Sequence, residues 1–146
     1  MKPTAMAGSA AAAVAVALTV ACSSPTGSCE VAGGIVGQWN YQATQESPRR
    51  GTVAGSLVIA SSNCADFQGV MDVVETLSSG ESRRIAGPVS GTLIDQSLVQ
   101  FEASVGGGNR AHFARLAGDS ITGSWVESSG TAVGTGQFTG RRQPAN

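Results

Sequence analysis

Apolar and polar residues alternate along the segment from Ile35 to Tyr41, which gives the clearest pattern in the chain. One face of an extended segment there would carry Ile35, Gly37, Trp39 and Tyr41. This period of two residues is typical of a β-strand with one buried face. The step from a glycine to an aromatic ring two positions later recurs at 123–125 and 136–138. We therefore predict one sheet that coils back on itself, so that its first and last strands meet around shared aromatic rings.

Turn-forming residues divide the chain after Gly34 into short segments, and none of these segments has a helical period. Eight strands are predicted, at 35–43, 52–60, 67–76, 83–94, 97–105, 110–116, 120–127 and 134–141. The connections are mostly short turns rich in glycine, serine or asparagine, such as 106–109 and 128–130. Because short turns join antiparallel neighbours, the strands should follow one another as a meander.

Glycines inside the predicted strands favour a closed barrel over a sandwich. Such a glycine weakens a strand unless the strand bends sharply or another backbone approaches closely. A larger apolar residue follows each one two positions later, in the pairs Gly37–Trp39, Gly55–Leu57, Gly69–Met71, Gly87–Val89, Gly91–Leu93, Gly123–Trp125 and Gly136–Phe138. Alternating small and large side chains suit a narrow barrel interior. The predicted fold is a single all-β domain, an eight-stranded antiparallel up-and-down β-barrel over residues 34–142, followed by a tail at 143–146.

The first 21 residues are a different kind of sequence from the rest. Lys2 is their only charge, and an apolar run at 10–21, broken only by Thr19, ends directly before Cys22. A charged start, a short apolar run and a small residue before the cut are the parts of an export signal. The run is shorter than the roughly 20 apolar residues that a membrane-spanning helix needs. Its ending, Leu18-Thr19-Val20-Ala21-Cys22, resembles the lipobox of bacterial lipoproteins, although Thr19 stands where leucine is commonest.

This resemblance implies that residues 1–21 are a lipoprotein signal peptide and that Cys22 becomes the lipid-bearing first residue. Residues 22–33 would then form a flexible tether. The protein would lie in the bacterial cell envelope, anchored to a membrane through the lipid on Cys22, and would be either periplasmic or surface-exposed. The alternative is an ordinary secretory signal that is cut nearby, with Cys22 incidental.

Cysteine usage fits the same compartment. The chain has three cysteines, and lipidation of Cys22 would leave Cys29 and Cys64 to form a disulfide. Cys29 precedes the first predicted strand and Cys64 follows the second, so both fall at the same end of an up-and-down hairpin. Closing this loop of about 35 residues should stabilise the domain by roughly 3–4 kcal/mol.

The strand layout and one short motif resemble the calycin superfamily, the lipocalins and avidins. The motif is Gly37-Gln38-Trp39 on the first strand, combined with Arg141 or Arg142 at the end of the last strand. The resemblance implies that Trp39 packs beneath one of these arginines and closes one end of the barrel, while Gly37 leaves room for the arginine side chain. The acidic and aromatic residues that follow the lipocalin tryptophan are missing, as are most tryptophans of the avidin biotin site, so a biotin pocket is not expected. The small periplasmic barrels that inhibit secreted metalloproteases are similar in layout as well.

The residues offer little for catalysis or for metal binding. Acid–base or nucleophilic catalysis needs an activated group with a positioned partner, and His112 is the only histidine. His112, Asp119 and Ser120 have the residue types of a catalytic triad, but no strained nucleophile turn supports that arrangement. No pair of histidines or carboxylates has a recognisable metal-ligand spacing, and the formal net charge of −1 gives no sign of a nucleic-acid partner. We predict no enzymatic activity, no cofactor and no metal.

Three carboxylates interrupt apolar strands: Asp72, Glu75 and Glu102. Asp72 and Glu75 are an odd number of positions apart, so a regular strand points them to opposite faces. Solvent is the expected surrounding of each, and an inward carboxylate would pair with an arginine such as Arg115. The adjacent arginines at 49–50, 83–84 and 141–142 are expected at solvated strand ends.

The predicted function is non-catalytic binding of a small apolar molecule, in the barrel or at its mouth. The candidate pocket residues are Trp125, Phe101, Phe138 and His112, with His112 favoured as a residue of the barrel wall. The alternatives are a protein-binding or inhibitor lipoprotein that uses a rim loop, and a structural envelope lipoprotein with a solid core. A cavity of roughly 300 Å³ or more would favour the small-molecule carrier, whereas a filled interior with an apolar or arginine-rich rim would favour a protein partner.

Overall fold

The computed structural model describes residues 34–129 and 132–145, and this part of the chain forms a closed β-barrel. The eight strands are β1 (Gly37–Ser47), β2 (Gly51–Asn63), β3 (Asp66–Leu77), β4 (Ser82–Leu93), β5 (Leu98–Val105), β6 (Gly108–Ala117), β7 (Ser120–Ser129) and β8 (Ala132–Arg142). Each strand pairs antiparallel with the next, and β8 pairs back onto β1. The predicted fold class, an eight-stranded antiparallel up-and-down barrel, is confirmed.

Alternate residues of the strands point into the barrel, as the period of two predicted. Strand β5 shows this regularly, with Val99, Phe101, Ala103 and Val105 buried and the residues between them exposed. The buried apolar side chains form one cluster, which is the barrel interior itself. Since burying one large apolar side chain contributes about 1.5–3 kcal/mol, this interior is the main source of stability.

Two strand glycines lie where neighbouring backbones approach too closely for a side chain. A Cβ on Gly136 of β8 would lie 1.7 Å from the carbonyl oxygen of Thr44 in β1, and a Cβ on Gly87 of β4 would lie 1.9 Å from that of Ser104 in β5. A larger residue at either position would push the two strands apart. Close backbone approach therefore explains these two glycines within their strands.

The two ends of the barrel have different turns. Turns 48–50, 78–81 and 106–107 lie at one end, which we call the mouth. Turns 64–65, 94–97 and 118–119 lie at the other end, which we call the closed end. Cys64 lies in a closed-end turn and has a positive φ of 57°.

The predicted signal peptide 1–21 and tether 22–33, with Cys22 and Cys29, lie outside the described residues. Lipidation of Cys22 and the bridge from Cys29 to Cys64 therefore stay predictions. Within the described part of the chain, no helix has the length and apolar character needed to cross a membrane.

Candidate functional site

The closed end is built around Trp39 and Arg142. Trp39 is fully buried, and its indole nitrogen donates a hydrogen bond of 3.0 Å to the carbonyl oxygen of Ile35. The guanidinium carbon of Arg142 lies 4.2 Å from the centre of the indole ring, a distance at which the cation is attracted to the ring face. A Cβ on Gly37 would lie only 2.7 Å from Arg142 Nη1, so this glycine leaves the space that the arginine occupies.

Arg142 also joins the segment before β1 to the turn between β6 and β7 across this end. Its Nη1 donates to the carbonyl oxygen of Val36 at 2.6 Å, its Nη2 donates to that of Gly34, and its Nε donates to Asp119 Oδ1 at 2.9 Å. Arg141 is exposed, because neighbouring residues of a strand point to opposite faces. Of the two arginines named from the sequence, Arg142 is the one above Trp39.

An aromatic layer fills the middle of the barrel. Phe101 stacks on His112 with ring centres 4.1 Å apart, and Tyr41 stacks on Phe138 at 5.4 Å. The rings of His112 and Phe138 are perpendicular, with centres 5.0 Å apart. These rings are buried and in mutual contact, so the predicted pocket residues Phe101, Phe138 and His112 pack against one another in the core.

His112 is a neutral hydrogen-bonding residue of this layer. Burial first, and then the positive charge of Arg110, lower its pKa to about 3. Its Nδ1 lies 3.1 Å from the carbonyl oxygen of Arg110, which can only accept, so Nδ1 carries the proton. Its Nε2 therefore accepts from the Tyr41 hydroxyl at 3.0 Å. Burial raises the pKa of Tyr41 above its usual range, which keeps that hydroxyl protonated.

His112, Asp119 and Ser120, which were considered as a catalytic triad from the sequence, do not form one in the structure. His112 is bound to Tyr41 in the interior, whereas the side chain of Asp119 is 80% exposed and pairs with Arg142 at the closed end. In residues 34–129 and 132–145, no three histidine, cysteine or carboxylate side chains are grouped as metal ligands.

Between the aromatic layer and the mouth lies a group of four charged side chains, Glu75, Arg83, Arg110 and Glu127, which we call the ion cluster. Arg110 is completely buried and donates to Glu127 Oε2 from Nε at 3.0 Å and from Nη2 at 2.5 Å. Its Nη2 also lies 3.4 Å from Glu75 Oε1. Arg83, the most exposed member, donates from Nε to Glu75 Oε2 at 2.5 Å and reaches to 3.6 Å from Glu127 Oε1. The two positive and two negative charges balance inside the cluster.

The alternation of strand faces places these charges inside the barrel. The expectation that Glu75 lies in solvent was therefore wrong, since this residue is 2% exposed. Glu75 shares a face of β3 with Met71 and Val73, Arg110 shares one of β6 with His112, and Glu127 shares one of β7 with Trp125. The interior roles of Arg110 and Glu127 were missed because both lie at strand ends, where solvent is the usual expectation. The signal that could have found them was this two-residue spacing from residues already assigned to the interior.

The other charges singled out from the sequence lie outside the barrel. Asp72 faces away from Glu75, as predicted, and binds Arg84 with a distance of 2.5 Å between Oδ2 and Nη2. This pairing lowers the pKa of Asp72. Glu102 and Arg115 are exposed, so Arg115 is not the partner of the inward carboxylate. Arg110 and Arg83 take that place, because their strands bring them to the same side of the sheet as Glu75.

Trp125 lies between the ion cluster and β8. The guanidinium carbon of Arg110 is 4.1 Å from the centre of its ring. A Cβ on Gly134 would lie 3.2 Å from the indole, and one on Gly136 would lie 2.7 Å from its Nε1, so these two glycines make room for the ring. Among the buried side chains of the described residues, Arg110 Nη1 and Trp125 Nε1 are the donors without a hydrogen-bond partner.

A cavity of about 250 Å³ opens at the mouth next to the ion cluster. It is lined by Gln45, Pro48, Arg49, Glu75, Leu77, Glu81, Arg83, Glu127 and Gly134. Other concave regions, of about 800, 520 and 470 Å³, run over exposed residues such as Gln68, Ser104 and Thr139 on the outside of the sheet. The mouth cavity is the one that combines enclosure with buried charge, which makes it the candidate site.

Comparison with known proteins shows similarity of fold. No protein-family model matches the chain, and no curated protein sequence matches it. Among solved structures, EF1p2_mFAP2b bound to DFHBI is 16% identical, covering 79% of this chain and 98% of its own, with a TM-score of 0.66. A de novo designed fluorescence-activating β-barrel gives 0.56 at 16% identity, over 77% of this chain and 97% of its own. The S-type phycobiliprotein lyase CPES from Guillardia theta gives 0.53 at 10% identity, over 78% and 91%. These identities establish a common barrel architecture and nothing finer.

Proposed function

We propose that this protein binds a small molecule at the mouth of its barrel and does not transform it. The observation that carries the proposal is the cavity of about 250 Å³, whose lining joins apolar surface at Pro48 and Leu77 to the carboxylates of Glu75 and Glu127. Small-molecule sites usually combine a concave apolar wall with a few placed polar groups, and their volumes begin at roughly 300 Å³. The cavity lies below that bound and below the size expected for a carrier of a larger apolar molecule, so the proposed ligand is small.

The aromatic layer fills the barrel beneath the ion cluster and leaves no room for a ligand in the barrel centre. Phe101, His112 and Phe138 are packed in direct ring contact, and a molecule lying among them would have to separate those rings. The mouth is therefore favoured over the barrel centre. The similar barrel EF1p2_mFAP2b was solved bound to DFHBI, which supports the view that this architecture can accommodate a small molecule.

We further propose that the barrel is held at a membrane of the bacterial cell envelope by a lipid on Cys22. The support is the sequence alone, since the export signal and the lipobox-like ending before Cys22 lie outside the described residues. A tethered binding barrel would hold its ligand close to the membrane surface.

Native mass spectrometry of the protein purified from producing cells tests the binding proposal. We expect a co-purified small molecule, and we expect Leu77→Trp to remove it, because the larger ring would fill the mouth cavity that Leu77 lines. Leu98→Trp is the matched control, since Leu98 lies at the closed end. If Leu77→Trp retains the molecule as fully as the control does, binding at the mouth is excluded.

A protein partner is the second candidate function. Phe113 and Val126 lie on adjacent strands and are 48% and 40% exposed on the outer face, where they form a small apolar patch. If chemical cross-linking in producing cells captures a partner through this patch, and Phe113→Ser with Val126→Ser abolishes the capture, protein binding replaces small-molecule binding as the function.

A further inference from the structure

The interior next to the mouth contains two buried side chains in contact, Arg110 and Trp125, and each has one donor without a hydrogen-bond partner among the described residues. Arg110 is completely buried, and while its Nε and Nη2 bind the carboxylates of the ion cluster, its Nη1 has no partner among the described residues. Trp125, 1% exposed, lies against the same guanidinium, and its Nε1 has no such partner either. A buried donor without a partner is unfavourable, and buried polar groups in folded proteins are nearly always satisfied.

From this arrangement we infer that the ligand of the mouth presents an uncharged hydrogen-bond acceptor, of the kind a carbonyl oxygen provides, to Arg110 Nη1. The inference rests on the proposed function and names the chemistry of its ligand. Both unused groups are donors, and an arginine or an indole can only donate. The complementary group on a ligand must therefore accept.

The charge balance of the ion cluster decides between a neutral acceptor and an anion. Arg110 and Arg83 are already matched by Glu75 and Glu127, at distances of 2.5–3.6 Å. An additional anion beside Arg110 would leave one negative charge in excess and close to two carboxylates, where burial strengthens the repulsion. A cation would have to displace an arginine from its carboxylates. A neutral oxygen satisfies the donor without disturbing the balance.

The site is connected to the cavity through residues that both share. Glu75 and Glu127 line the mouth cavity on one side and bind Arg110 on the other. Arg83, with its side chain 57% exposed, joins the same two carboxylates at the mouth. Arg110 and Trp125 do not themselves line the cavity. An acceptor that enters from the mouth therefore reaches Arg110 only when the exposed side chain of Arg83 moves aside.

Four single-ring probes that differ in one substituent test the inference on the purified protein: acetophenone, benzoate, benzylammonium and ethylbenzene. Titrations are followed by NMR, using the Trp125 indole N–H signal and the amides of Leu77 and Gly134. We expect acetophenone to bind more tightly than each of the others, and to shift the Trp125 signal. Arg110→Lys should weaken acetophenone by about five- to ten-fold, the usual contribution of one hydrogen bond, and leave ethylbenzene unchanged. Arg115→Lys, on the outer face, is the matched control.

Each outcome separates the ligand chemistry from the proposed function. Preference for benzoate or benzylammonium would overturn the neutral acceptor while leaving a binding mouth. Equal binding of acetophenone and ethylbenzene, or a long-lived water that stays on the Trp125 indole N–H at saturating acetophenone, would overturn it as well. If none of the four probes shifts the NMR signals of Leu77, Trp125 or Gly134, both the neutral acceptor and the proposed binding at the mouth are excluded. Should Arg110→Lys not fold, Trp125→Phe removes the second donor and is expected to reduce the preference for acetophenone over ethylbenzene.

Discussion

Neighbouring residues of one strand have opposite environments in this protein, and the charged residues show it most clearly. Arg83 joins the ion cluster while Arg84 binds Asp72 outside the barrel. Arg142 covers Trp39 while Arg141 is exposed. Because a strand alternates its faces at every residue, a shift of one position would exchange each pair.

Trp39→Ala should destabilise the folded protein by about 3–5 kcal/mol, since it removes a fully buried ring and leaves a cavity. The loss in the free energy of unfolding is measured by chemical denaturation, with circular dichroism as the signal. Arg142→Ala should cost about 2 kcal/mol through its hydrogen bonds and its contact with the indole. Arg141→Ala is the adjacent control and should stay within about 0.5 kcal/mol of the parent. Equal effects of the two arginine substitutions would show that Trp39 is not covered by Arg142.

His112 should make stability depend on pH below neutrality. Its pKa is about 3 in the folded protein and 6.5 when unfolded, so the unfolded state binds more protons between these values. Its contribution is complete above pH 6.5 and is lost as pH falls towards 3, with a slope of up to about 1.4 kcal/mol per pH unit. Burial raises the pKa of its neighbour Tyr41 above the usual range, so Tyr41 keeps its proton throughout this window.

Comparison of the parent with His112→Gln isolates this effect. The variant should be less stable at pH 7 but should lose less stability between pH 6.5 and 4, as measured by urea denaturation at each pH. Parallel pH profiles for the two proteins would mean that His112 is not buried as a neutral residue.

At the scale of elements, the closed end depends on contacts between segments that are far apart in the sequence. Arg142 of β8 binds Val36 before β1 and Asp119 in the turn between β6 and β7. Cys64, in the turn between β2 and β3, lies at this same end. A bridge from Cys29 to Cys64 would therefore add a covalent link where the first hairpin meets the end of the last strand.

Peptide mapping without reduction should find Cys29 and Cys64 linked. Replacing both by alanine should lower the free energy of unfolding by roughly 3–4 kcal/mol in the chain-entropy view without changing the β-sheet circular-dichroism signal. Reducing the parent protein should give the same loss of stability, and the double variant should not respond to reductant. Two free thiols in the exported protein would contradict the bridge.

On the scale of the whole molecule, the barrel has the closed end, the aromatic layer in its middle and the polar mouth. Strand β1 begins at the closed end, and the predicted tether precedes it in the sequence. This arrangement would place the mouth at the end of the barrel opposite to the attachment point of the tether.

Attachment of the protein to the membrane should depend on Cys22 and not on Cys29. The parent protein should partition into the detergent phase of a Triton X-114 extraction, and Cys22→Ala should move it to the aqueous phase or block its processing. Cys29→Ala is the matched control and should stay in the detergent phase. If Cys22→Ala partitions as the parent does, the protein is not a lipoprotein of this type.

The local pattern of the sequence was enough to predict the barrel. The period of two, the short turns and the glycine-to-aromatic steps predicted all eight strands to within a few residues, because alternation and turn chemistry act between neighbours in the chain. The pairing of Trp39 with a last-strand arginine was implied by the resemblance to the calycins, and it agrees with a closed meander, which must bring its first and last strands together.

The candidate site was decided by the tertiary structure. Glu75, Arg110 and Glu127 lie on three strands and are charged, so each by itself is better placed in water. They are buried together because barrel closure brings their inward faces to one level, where each neutralises another. Whether the interior is open or filled was decided in the same way, since ring contacts such as Phe101 with His112 depend on how tightly the sheet coils. Local sequence determines which face a residue takes, and only the closed barrel determines which residues meet there.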